Sequence, residues 1–210
     1  MWEWLRALPP GPASFVGTLT GSSIGLIAIL VGALWNFNLS RKRDALERAQ
    51  EIRSIAAALY GEMLLIRKEA ASVARAVAYA YVEIGTKRYP GVRFDHHFLE
   101  RFRLTEPLLY KSLASRLGEL PSDIVISIAE FYSNYEEVKK WLPLIMDDDK
   151  RGFSYSPTAV LVPAVDTVIG INPTLRLIEN LLHIRTPVAD PDLGKTNSVI
   201  EMIEDQDADD

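Results

Sequence analysis

The chain has 210 residues, 48% of them apolar and 24% charged, with a formal net charge of −5 and a mean hydropathy of +0.04. That is enough apolar material to bury a core and too much for a disordered chain. Cysteine is absent, which excludes disulfides and any thiolate-ligated zinc or iron–sulfur centre.

The apolar excess is concentrated. No charged residue occurs from Ala7 to Ser40, whereas the rest has the charge content of an ordinary helical protein. The charge is also segregated by sign. Arg41 to Gly118 carries 15 Lys/Arg against 9 Asp/Glu, and Glu119 to Asp210 carries 7 against 18. The basic half adjoins the apolar segment and the acidic half lies far from it, as an anionic membrane surface would require.

Residues 1–12 are expected to form a short outer-face segment in which Pro9, Pro10 and Pro12 stop a helix from extending upstream. Residues 13–36 are expected to form a transmembrane helix. The run from Ala13 to Trp35 would be about 34 Å long at the helical rise, against a hydrocarbon core of about 30 Å. Trp2 and Trp4 on one side and Trp35 on the other suit the two interfaces. A cleaved signal peptide fits poorly, since Met1 to Arg6 carries one acid and one base and no small-residue cleavage site follows the run. A buried soluble helix is the competing reading, because the first half of the segment is rich in Gly, Ser and Thr. Arg41, Lys42, Arg43, Arg48 and Arg53 lie downstream against Arg6 upstream, so the N-terminus is expected outside and the C-terminal bulk in the cytoplasm.

Gly17, Gly21 and Gly25 are spaced by four, with Gly32 close to the same line. Spans associate by close backbone approach over small residues, so this face is read as a helix-association surface for a homo-oligomer or another membrane protein. Ser14 and Ser22 lie near the seam.

Residues 37–185 are expected to form a cytoplasmic helical bundle. Ile52, Ala56, Leu59, Met63, Ile66, Ala70, Val73, Val77, Ala80 and Ile84 alternate in steps of four and three, which predicts one long helix. Nothing between Trp35 and Arg43 breaks a helix, so it can continue directly from the span. The heptad spacing allows a parallel coiled coil in which Glu62 and Arg67 pair between chains. Ile55, Tyr60, Leu64, Leu65, Ala74 and Tyr81 widen the stripe, however, and favour partners on several sides within one chain.

The stretch 87–103 interleaves Lys87, Arg88, Arg93, Arg101 and Arg103 with Tyr89, Phe94, Phe98 and Phe102. Such a pattern can contact anionic lipid together with Arg41, Lys42 and Arg43, or single-stranded nucleic acid, which is the less favoured partner. The simplest reading is a bundle cap with its aromatics turned inward. Thr105-Glu106-Pro107 predicts a helix start and Gly118 its stop; Pro121-Ser122-Asp123 starts another helix with a stripe at Ile124, Ile128, Phe131, Tyr135, Val138 and Leu142. Ser156-Pro157 and Asn172-Pro173 mark two more, the first kinked or shortened by Pro163, the second striped by Leu175, Ile178, Leu181 and Leu182. From Thr186 the periodicity fails, so 186–210 is expected to be a flexible acidic tail. The fold class is therefore all-α: one N-terminal transmembrane helix, a long helix, and a cytoplasmic bundle of four or five helices.

Candidate chemistry is sparse. Asp147 to Gly152 has the start of a calcium loop, but Arg151 stands where an oxygen ligand is needed and Thr158 where a Glu must close the site. His96 and His97 are adjacent, so on a helix they point about 100° apart and do not share one ion; His183 is remote in sequence. There is no Gly-rich phosphate loop, nucleophile elbow or HExxH motif, so no catalytic residue, metal or cofactor is assigned and the chain is read as non-enzymatic.

The stretch from Tyr110 to Tyr135 carries Leu117-Gly118, Leu120-Pro121, Ile124, Ile128 and Phe131-Tyr132 after an N-terminal span and a long helix. In this it resembles uncharacterised small single-pass bacterial inner-membrane proteins with a cytoplasmic helical domain. The resemblance covers about half the chain and implies a bacterial inner-membrane location, without implying an activity. The function expected is a membrane-anchored cytoplasmic scaffold or interaction protein; the alternative is a tethered regulator that binds anionic lipid or nucleic acid through 87–103.

Overall fold

The structure is a computed structural model and describes residues 10–86, 94–102, 104–146, 155–185 and 189–209. Every regular element among these residues is helical. The longest, α1, spans Pro10–Thr86 and holds both the apolar segment and the long helix expected after it. Its contacts divide the chain into one unit up to Glu51 and another from Ile52 onward.

In the first unit every described side chain from Thr18 to Glu51 is exposed. The polar groups that interact do so locally: the Ser23 hydroxyl donates to the Leu19 carbonyl at 2.8 Å, Arg43 pairs with Glu47, and the Arg41 guanidinium lies 5.5 Å from the centre of the Phe37 ring.

The second unit buries the α1 stripe from Ala56 to Ala80 at every expected position, with Ile52 and Ile84 half-covered at its ends. Of the flanking residues Ile55, Tyr60 and Ala74 are also buried, whereas Leu65 is 51% exposed. Against this stripe pack α2 (His96–Arg101), α3 (Leu108–Leu113), which tightens into a 3-10 turn over Ala114–Glu119, and α4 (Ser122–Trp141). Beyond them come α5 (Thr158–Ile169), α6 (Asn172–Leu182) and α7 (Gly194–Asp209).

The core has two layers. In one, Ile55 to Ile66 of α1 meet Ile124 to Tyr135 of α4 and Ile171 to Ile178. In the other, Ala70 to Ala80 meet Val138, Leu142 and Ile145, α5, and Leu193, Val199 and Ile203. As α1 advances, α4 advances beside it while α5 and α6 return, so α4 runs parallel to α1 and the α5–α6 pair antiparallel. All six expected stripe positions of α4 are buried.

Pro163 lies inside α5, which runs 12 residues through it; the Thr167 hydroxyl donates to the Pro163 carbonyl at 2.7 Å one turn on. Two expectations change. Gly118 lies inside the 3-10 turn rather than stopping an α-helix. The segment 186–210 is not a tail throughout, since α7 occupies 194–209 and buries Leu193, Thr196, Val199 and Ile203. Its steps of three, three and four form a helical stripe, and the pattern is hidden in the sequence because one core position is a threonine.

Among the described residues two helical stretches are long and apolar enough to cross a membrane, Gly21–Gly85 and Thr158–Leu182. None of the most apolar window of the first is buried, against 50% of the second. Half of the second stretch therefore belongs to the bundle core.

Candidate functional site

The expected helix-association face lies on α1. Gly21, Gly25 and Gly32 have open space where a Cβ would stand, whereas the surroundings of Gly17 lie outside the described residues. Arg41, Lys42 and Arg43 are exposed one to two turns beyond Trp35.

The basic and aromatic stretch is only partly described: Lys87, Arg88, Tyr89, Arg93 and Arg103 lie outside the described residues, and Arg101 is exposed at the end of α2. Its described rings turn inward. Phe94 is buried, Phe98 and Phe102 pack on the core, and the three form a ladder with centroids 5.4 and 5.0 Å apart. That packing is in keeping with a bundle cap. The Asp95 carboxylate accepts the Phe98 N–H at 2.9 Å and caps α2.

The most ordered polar chemistry is a pair of glutamates seven residues apart on one face of α1. Glu62, 8% exposed, accepts the Leu109 N–H at 2.7 Å, the Tyr110 N–H at 2.9 Å and the Tyr132 hydroxyl at 2.7 Å. Pro107 supplies no side-chain cap to α3, so a carboxylate from a distant helix satisfies the first-turn donors and meets the positive end of the helix. Glu69 accepts the Thr105 N–H at 3.0 Å and the Thr105 hydroxyl, and shares the Tyr135 hydroxyl proton with the Thr105 carbonyl. Burial, reinforced by Glu62 in one case and Glu69 in the other, pushes both tyrosines well above their ordinary pKa, so they remain neutral donors.

A second set of braces joins α1 to the α5–α6 pair. Arg67, 3% exposed, donates to the Val168 carbonyl at 2.8 Å and to Asp190 at 2.6 Å, with Asn172 on the same Asp190 oxygen at 3.3 Å. The Tyr60 hydroxyl donates to Glu179 at 2.7 Å, and Arg176 pairs with that carboxylate's other oxygen. Glu62 and Arg67, expected at positions suited to pairing between chains, are thus consumed within the chain, which removes the ion pairs of the coiled-coil reading.

Between α3 and α4 a surface cleft of about 590 Å³ is lined by Pro107, Tyr110, Lys111, Ala129, Tyr132, Ser133, Glu136, Glu137 and Lys140. Tyr110 lies flat on Tyr132, with ring centres 3.9 Å apart and planes 16° apart. Glu106 closes one rim by joining Lys111 and Lys139, and those two hydrogen bonds hold its carboxyl at about 2 against an ordinary 4.5. The cleft presents both signs of charge around an aromatic floor, a surface suited to a polypeptide.

Asp147 to Gly152 lies outside the described residues. His97 is exposed and 3.5 Å from Glu100, and no group of three metal-ligating side chains occurs among the described residues. His183 takes the left-handed position that ends α6, with φ 56°. Comparisons with protein-family models, curated proteins and solved structures find no match.

Proposed function

We propose that this chain is a single-pass protein of the bacterial inner membrane, N-terminus outside, whose cytoplasmic helical bundle is a scaffold or interaction module without catalysis of its own. The observation that carries the reading is the exposure of Leu26, Ile27, Ile29, Leu30, Val31, Leu34 and Trp35, each more than half open on a helix whose continuation from Ile52 has its apolar stripe covered. A helix apolar around its circumference needs an apolar solvent, and lipid supplies one. The exposed cations at Arg41, Lys42 and Arg43 favour the cytoplasmic side for the chain beyond them. The Gly21, Gly25 and Gly32 face is the proposed contact with a second span, either a further copy or another membrane protein.

The test is fractionation of the full-length chain expressed in bacteria. It is expected to stay in the pellet after ultracentrifugation and an alkaline carbonate wash, with a C-terminal reporter active only in the cytoplasm. Recovery in the supernatant without detergent would overturn the anchor, and an active periplasmic reporter the orientation. Leu at Gly21 and Gly25 is expected to weaken association of the span in a membrane two-hybrid assay.

A further inference from the structure

The second unit has a second cleft, of about 420 Å³, that the scaffold reading does not use. It is lined by Ser72, Arg75, Ala76 and Tyr79 of α1, Phe102 just after α2, and Asp192 and Lys195 at the start of α7. The four α1 residues fall at i, i+3, i+4 and i+7, which places them on one helix face. The small Ala76 leaves the recess.

Arg75 is oriented rather than free to wander. Its Nε donates to the Ala71 carbonyl at 3.2 Å, which folds the guanidinium back over the turn carrying Ser72. The remaining guanidinium N–H groups, the Ser72 hydroxyl and the Lys195 ammonium have no partner among the described residues. Lys195 lines the same cleft from the first turn of α7, which Leu193 and Thr196 seat in the core. Asp192 gives one carboxylate oxygen to the Gly194 N–H at 3.0 Å and keeps the other.

Two cations with a hydroxyl, against one carboxylate already half used, match a single phosphate group: the guanidinium offers a two-pronged contact and the ammonium a point charge. Tyr79 and Phe102 line the cleft beside it. The free Asp192 oxygen accepts a hydroxyl and disfavours a second phosphate. The volume lies within the range of small-molecule sites, roughly 300–1,000 Å³. We propose that this cleft binds a small organic phosphate carrying an aromatic ring and a hydroxyl, a nucleoside monophosphate being the simplest member of the class. The site stands whether or not the first cleft binds a polypeptide.

The experiment is calorimetric titration of the full-length chain in detergent micelles with adenosine monophosphate, inorganic phosphate and adenosine. Adenosine monophosphate is expected to bind, with the other two about tenfold or more weaker, because each lacks half of the recognised chemistry. Arg75→Gln and Lys195→Gln are each expected to weaken binding about tenfold without moving the thermal unfolding midpoint, since both side chains are exposed. Lys68→Gln, an exposed cation outside the cleft, is expected to leave binding unchanged. Failure to bind at millimolar concentration, equal affinity for inorganic phosphate, or equal loss on Lys68→Gln would overturn the proposal.

Discussion

Two stretches of the same helix use apolar residues in opposite ways. From Ile52 to Ile84, α1 confines them largely to a stripe, and other helices of the chain cover that stripe to near-zero exposure. From Leu19 to Leu39 the described apolar residues encircle the helix and are exposed. The first pattern needs a partner on particular sides, and the second needs a solvent on all sides. Helix propensity does not separate the two stretches, since both are helical without interruption. What separates them is charge itself: seven charged residues occur from Ile52 to Ile84 and none from Leu19 to Leu39.

The sharpest way to break this comparison is to charge the uncovered stretch. Leu26→Arg with Leu30→Arg costs about 3 kcal/mol per arginine near the middle of a span, so the double variant is expected to leave the carbonate-washed pellet in large part. Unchanged fractionation would place the anchoring elsewhere. In the covered stretch the largest expected effect is at Glu62, because Glu62→Ala strands two backbone N–H groups and one buried hydroxyl. A loss of about 3 kcal/mol in urea unfolding is expected, with accelerated exchange of the Leu109 and Tyr110 amides; Tyr132→Phe removes one donor and costs about 1 kcal/mol. Equal effects of the two substitutions would show that α3 does not depend on its distant cap.

The smallest effect is one of pH. Glu106 is exposed and its carboxyl is held at about 2 in the folded protein against an ordinary 4.5, because Lys111 and Lys139 donate to it. A depressed carboxylate adds stability that is complete above 4.5 and is lost as pH falls toward 2. Acid is therefore expected to loosen the rim between α3 and α4 in that window. Glu106→Gln should remove that part of the pH dependence, measurable by side-chain carboxyl titration and amide exchange, with little change in stability at neutral pH.

Much of the fold is legible in the sequence wherever a long period repeats. The stripe of α1, the six positions of α4 and the proline-marked starts of α5 and α6 are read from spacing alone, because burial on one helical face imposes the period directly. The 3-10 turn and the passage of α5 through Pro163 are settled by neighbouring side chains rather than by local propensity. Helix α7 escapes notice because Thr196 interrupts its apolar stripe and six acids dominate the composition from Glu201 onward.

The polar sites divide in the same way. Exposure of the Gly face and of Arg41 to Arg43 accords with a run with no charge bounded by a run of bases. The roles of Glu62, Glu69 and Arg67 could not be read in that manner, because a buried charge in a heptad stripe looks the same whether its partner is another chain or a helix start 47 residues away. By itself the sequence determined that the chain is helical, that one segment is apolar and carries no charge, and which faces turn inward, since these depend on residue type and period. Only the tertiary structure decided that the buried carboxylates brace the chain's own backbone and that α1 and α7 open a cation-lined cleft between them. Those outcomes depend on which residues distant in sequence meet, and distance in sequence carries no periodic signal.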